Sequence, residues 1–276
     1  MQMLEVVTYG LALAGYAAAF ILAVLALVIK KPRTLAPAYV AAVAGTAALT
    51  VSLASRGFGF GAPPFITYYE SVSFGSWLAM AGLLYFSLRR KELRAVLAVL
   101  CPVLLLLMGS AMFTHREFEK LSPALQSWWL VVHILFAMLS FASMAVAFGA
   151  AVILVFFPRA KWSPSAKLAD SVISKSIILA FIFQMVMLVS GSIWGNQAWG
   201  RYWGWDPIET FSLLTLILFG IAIHLQVQFG WKGKRMAWLA IIGFLCTVYG
   251  IWGVPFFSQS LHLYQGPAGF VKAAKQ

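Results

Sequence analysis

Charge is scarce in this chain: 10% of its 276 residues are Asp, Glu, Lys or Arg, and only 8 are acidic. Soluble domains carry about 25%. With 62% hydrophobic residues and a mean hydropathy of +0.88, a water-soluble globule is excluded. Cysteine is nearly absent as well. Cys101 and Cys246 both fall inside apolar stretches, which argues against a disulfide framework or a thiolate metal site. Low-complexity linkers, internal repeats and long polar connections are missing too. No soluble domain is expected, so any chemistry belongs to the membrane part, to short external loops or to a partner.

Long apolar runs are what the sequence does have. A helix needs about 20 residues to cross about 30 Å of hydrocarbon, and eight runs qualify, near 7–29, 36–54, 72–88, 95–113, 128–157, 172–194, 208–227 and 236–255. The expected fold is all-α: one integral membrane domain over 1–276 with eight transmembrane helices. The first run is too long for a cleavable signal peptide and ends in Lys30 and Lys31 rather than a small-residue cleavage site, so it reads as the first span. The fifth run, about 30 residues long, predicts a helix that tilts or projects from the bilayer.

The excess of 20 Lys and Arg over 8 Asp and Glu gives +12. Fourteen of those cations fall in one set of loops: Lys30, Lys31, Arg33; Arg89, Arg90, Lys91, Arg94; Arg159, Lys161, Lys167, Lys175; Lys232, Lys234, Arg235. By the positive-inside rule these loops are cytoplasmic and both termini lie outside, on the periplasmic side of a bacterial inner membrane. A thylakoid membrane is the alternative. The positive charge is thereby used as a topology signal, and nucleic-acid binding is not expected.

The four histidines fall at different depths. His115, between Thr114 and Arg116 in a loop with Glu117, Glu119 and Lys120, reads as a solvated loop residue. His133 lies near the external end of the fifth helix, and His262 in the external tail. Each fits an interfacial or hydrogen-bonded structural role as well as a ligand. His224, about 16 residues or roughly 24 Å into the seventh helix, lies toward the cytoplasmic leaflet. An imidazole at that depth needs a partner or a ligand.

The segment WGNQAWGRYWGWDPIET, read as an external loop over 194–209, holds Trp194, Trp199, Trp203 and Trp205 with interleaved Gly195, Gly200 and Gly204. An interfacial belt explains one or two tryptophans. Four, with glycines that let the backbone approach a flat object and indoles that stack on it, suggest a platform for a planar apolar ligand. Asp206, Pro207 and Glu209 form a helix start, with an N-cap, a proline at the first position and an acid in the first turn. That structural reading explains Asp206 and Glu209 without catalysis. Arg201 is placed to pair with an anionic ligand edge. A planar ligand beside two external histidines points to haem, whose iron takes axial imidazoles.

WGRYWGWDPIET followed by a helix carrying His224 resembles the WWD segment of the haem-handling proteins of cytochrome c maturation. The stretches FITYYESVSFGSW, LQSWWLVVHILFAMLSFAS and SLHLYQG narrow the resemblance to the CcsA (ResC) subunits of system II cytochrome c synthases, across essentially the whole chain. The resemblance implies cytochrome c-type biogenesis. By that resemblance, haem b is expected to be held by His133 and His262 on the outer face, with Trp194, Trp199, Trp203, Trp205, Asp206, Glu209 and Arg201 around it, and His224 to hold haem deeper in the membrane. It also implies a CcsB (ResB) partner and an apocytochrome c substrate with a CxxCH motif, to which the haem lyase attaches haem. A second intramembrane imidazole for His224 is absent from this chain, and in the family it belongs to the CcsB part. Two other functions remain open: haem delivery without ligation, as in CcmC-like proteins, and a haem b electron-transfer or anchor subunit.

Overall fold

The computed structural model describes residues 2–29, 35–60, 67–113, 126–258 and 260. Among these the chain is helical, with no strand: α1 (Gln2–Val28), α2 (Leu35–Phe60), α3 (Tyr68–Arg89), a 3₁₀ turn (Lys91–Val96) leading into α4 (Leu97–Ala111), α5 (Trp128–Phe156), α6 (Ala166–Trp199), α7 (Pro207–Phe229) and α8 (Lys234–Val248). A π-helical turn (Tyr249–Gly253) and the short α9 (Val254–Phe257) follow. Eight helical segments are long and apolar enough to span a bilayer. The expected all-α polytopic membrane fold is therefore present. Helices are the natural outcome in hydrocarbon, where each backbone N–H and C=O must be satisfied within its own segment.

The bundle is built around α5, which packs against α6, α8 and α3, while α1 pairs with α2 and α4. Two-thirds of the apolar window of α5 is buried (67%), against 17% for α7. α7 is thus a peripheral helix with one face covered. Small residues set the closest approaches: at Gly15 of α1, a Cβ would stand 2.6 Å from the Gly45 Cα of α2. Polar side chains also bridge the helices, as Ser140 Oγ does to the Ala180 carbonyl (3.1 Å) and Gln184 Nε2 to the Ser212 carbonyl (3.2 Å).

The helix ends sort into two faces. At one end, Arg56 of α2 bridges Glu5 of α1 (3.1 Å) and Glu70 of α3 (2.5 Å), all three side chains being buried. Glu70 also closes the α3 capping box with Thr67. Trp252 of the π turn donates to Ser71 of α3 (3.2 Å), which brings the end of the α8 segment to this same face. At the opposite end Asp170 of α6 accepts from the Gly233 amide before α8 (2.7 Å), and Gln226 of α7 donates to Ser174 of α6 (2.6 Å). The sixth span departs from its expected limits. α6 runs 34 residues, from Ala166 to Trp199, so Lys167 and Lys175 sit on the helix rather than in the preceding loop.

Candidate functional site

The Glu5–Arg56–Glu70 face also carries the tryptophan-rich turn. The segment expected as a loop over 194–209 is shorter than that. Trp194 and Trp199 lie on the last turns of α6, and only 200–206 is non-helical. α6 stops because Gly200 takes the left-handed conformation (φ 72°) and donates its amide to the Asn196 carbonyl (3.0 Å). α7 starts where the sequence predicts: the Asp206 side chain accepts from the Ile208 amide (2.9 Å), Pro207 occupies the first turn, and Glu209 closes a capping box.

Glu209 does more than cap. Its Oε2 accepts from the amides of Gly204 (2.8 Å) and Asp206 (3.1 Å), the two residues that flank Trp205. Trp205 is the only non-glycine described with positive φ (57°), and its indole is 70% exposed. A bulky side chain there is strained, and the carboxylate that gathers the neighbouring amides holds the bend. Gly204 permits a second fold of the turn, since a Cβ there would lie 2.6 Å from the Arg201 guanidinium.

His133, on the second turn of α5, points at α6. Its Nδ1 lies 2.9 Å from the Met187 carbonyl, and its ring stacks on Trp194 (centroids 6.1 Å apart, planes at 25°). Trp194 meets Trp199 edge-on at 4.9 Å. At 1% exposure, Trp194 is not the open stacking surface expected of it; it backs the imidazole from inside. His133, Met187, Gly191, Tyr202, Trp203, Glu209 and Ser212 line an open cleft. Trp203 and Trp205 meet edge to face (5.7 Å, 89°) at its mouth. Ser127, the N-cap of α5, donates to Gln197 of α6 (2.7 Å) and locks the two helix ends that bear the cleft.

The other histidines lie apart. His224 is exposed on α7, with its ring against Phe229 (5.9 Å, 69°). It is 17 residues past Pro207, about 26 Å along the helix, and the fold does not bring it to the His133 cleft. His262 and His115 lie outside the described residues. Ser260 is described: buried, it donates to Asp206 Oδ1 (2.7 Å) and ties the chain two residues before His262 to the start of α7. Sequence reasoning missed Met187, Gly191, Ser260 and the Glu5–Arg56–Glu70 cluster. Of these, only the charges at 5, 56 and 70 carried a signal, as ionisable residues close to apolar runs.

The cleft thus offers an oriented imidazole, indole and phenol faces, and glycine-thinned backbone, groups able to meet a flat ligand and to ligate a metal. The family model described as cytochrome C assembly protein matches residues 65–262. Among similar proteins are three named cytochrome c biogenesis protein CcsA. That of Prochlorococcus marinus (strain MIT 9312) is 31% identical over 235 residues, 73% of this chain and 75% of that one. That of Chlamydomonas reinhardtii is 33% identical over 215 residues (73% and 60%), and that of Trieres chinensis 30% over 268 residues (82% and 85%). The solved structure of the cytochrome c heme lyase CcmF shares the fold, with a TM-score of 0.76 at 20% identity. The match covers 99% of this chain, which spans about half (49%) of that protein.

Proposed function

Because this chain belongs to the cytochrome c assembly family, within its CcsA group, we propose that it holds haem b as substrate on the outer face of the membrane and supports its attachment to apocytochrome c. The observation that carries this reading is the His133 imidazole, fixed by the Met187 carbonyl and Trp194 and lining one cleft with Trp203 and Glu209. His133 supplies one axial imidazole. His262 supplies the other, from a segment anchored through Ser260 to Asp206. Tyr202, Trp203 and Trp205 cover the ring, Trp199 and Trp194 support that cover from α6, and Arg201 pairs with a propionate.

Haem brings two vinyl groups to the reaction. Each cysteine thiol of the substrate CxxCH adds across one vinyl C=C, sulfur bonding to one carbon and the thiol hydrogen ending on the other. Atoms and electrons balance without an oxidant. The contribution of this chain is orientation: thiol and vinyl held together react at an effective concentration that solution cannot supply. The incoming CxxCH histidine replaces His262, and the helix-borne His133 keeps its place. His224, exposed on α7 and far from the cleft, receives haem at the inner position with a second imidazole from a CcsB-type (ResB-type) partner. The asymmetry of the basic loops supports placing the cleft on the periplasmic side of a bacterial inner membrane, or on the lumenal side of a thylakoid.

The test is co-expression with a CcsB-type partner and an apocytochrome carrying CxxCH, followed by acid extraction of haem. Acid-resistant haem on the cytochrome supports the synthase reading. Haem that extracts completely, while the protein still binds it, points to CcmC-like delivery or an electron-transfer subunit.

A further inference from the structure

An imidazole that ligates iron must present a lone pair at a set angle, and the wall of α6 controls both for His133. The partner of Nδ1 is a backbone carbonyl, that of Met187 (2.9 Å). A carbonyl only accepts, so the proton sits on Nδ1 and the lone pair on Nε2. The Met187 carbonyl also takes the Ser190 hydroxyl (3.1 Å), and it lies within the helix wall, one turn before residue 191. To reach it, the ring has to descend onto the α6 backbone.

Gly191 makes that descent possible. A Cβ there would lie 2.4 Å from Nδ1 and 2.7 Å from Cε1 of His133, closer than atoms approach. The ring has little room to retreat, since Trp194 stacks along it (25° between planes). Glycine inside a helix costs about 1 kcal/mol relative to alanine, and at some positions of the bundle it stands where alanine would fit. Gly82 and Gly109 have nothing within 4 Å of a Cβ. Gly191 also lines the cleft itself.

We infer that Gly191 and the Met187 carbonyl are a seat that sets the plane and the tautomer of His133, which makes Gly191 a positioning residue for the haem ligand. The inference rests on the reading of His133 as an axial ligand.

Gly191→Ala, His133→Ala and the control Gly82→Ala are compared with wild type in the complex with the partner. Metal-site partners of this kind are worth about 10–100-fold in affinity. Gly191→Ala is expected to lower haem affinity at the outer site by that factor, to shift the haem midpoint potential, and to regain haem when imidazole is added, with Gly82→Ala unchanged. Nitrogen-15 histidine NMR of the haem-free protein, assigned by loss of the signal in His133→Ala, reads the tautomer directly. The wild type is expected in the Nδ1–H form, and this arm stands even if Gly191→Ala does not fold. A wild-type Nε2–H tautomer overturns the inference. So does a Gly191→Ala protein with wild-type affinity and potential beside a deficient His133→Ala, and that result leaves the ligand reading intact. A His133→Ala protein that binds haem like wild type overturns the ligand reading and this inference with it.

Discussion

Replacing Glu209 separates the force that holds the tryptophan turn from the strain it contains. Hydrogen bonds to a charged acceptor contribute about 1.5–3 kcal/mol each. The two that Glu209 Oε2 accepts, from Gly204 and Asp206, therefore sum to about 3–6 kcal/mol locally. Against them stands Trp205 in the left-handed region (φ 57°), which costs about 1–3 kcal/mol. The clamp wins by a few kcal/mol in the native turn. Glu209→Gln keeps an accepting oxygen but loses the charge, and two neutral bonds of about 0.5–1.5 kcal/mol each only balance the strain. Glu209→Ala removes both bonds and leaves only the long contact from the Thr210 hydroxyl to the Trp205 carbonyl (3.5 Å), so Trp205 relaxes. Amide exchange of the peptide spanning 200–206 is the assay. Exchange is expected to rise modestly in Glu209→Gln and to approach that of an open loop in Glu209→Ala. The interior of α7 stays protected in both, because Asp206 still caps Ile208. Wild-type exchange at the Gly204 and Asp206 amides in Glu209→Ala would refute this balance.

Ser260→Ala removes a bond to the Asp206 carboxylate, worth about 1.5–3 kcal/mol. The fraction of bound haem with a two-imidazole absorption spectrum is expected to fall tenfold or more, and an unchanged spectrum would show that the tie does not serve His262. Arg56→Met leaves Glu5 and Glu70 buried without their cation, at a cost of about 3–5 kcal/mol. That corresponds to a melting shift of roughly 6–20 °C at about 2–4 °C per kcal/mol. The shift can be followed with a thiol-reactive dye through the buried Cys101. The triple variant Glu5→Gln, Arg56→Met, Glu70→Gln recovers most of the loss, and a single variant that melts like wild type counts against the triad. Gly15→Val forces a Cβ into the Gly45 backbone 2.6 Å away. It is expected to cost about 1–3 kcal/mol, read as a lower melting point with haem binding retained.

Hydropathy reads the spans well because lipid leaves the backbone no alternative to helix. The Asp206-Pro207-x-Glu209 start of α7 was equally legible, since capping is decided within four residues. The end of α6 was not. Tryptophans and glycines in alternation look like a loop, yet Trp194 packs against both Trp199 and His133, and those contacts keep the helix going until Gly200 turns it. The parts of the site that pattern could not show are the long-range ones. His133 meets Met187, and Asp206 meets Ser260, each across 54 residues of chain. The pairing of Arg56 was hidden for the same reason, since its two carboxylates come from other helices, 14 and 51 residues away.

Whether His133 and His262 hold haem for attachment is tested most directly by purifying the His133→Ala and His262→Ala proteins with the partner and measuring bound haem and covalent cytochrome c side by side. The proposed site predicts that both quantities fall in each variant, and that added imidazole restores bound haem. Haem content and cytochrome c yield at wild-type levels in either variant would contradict it.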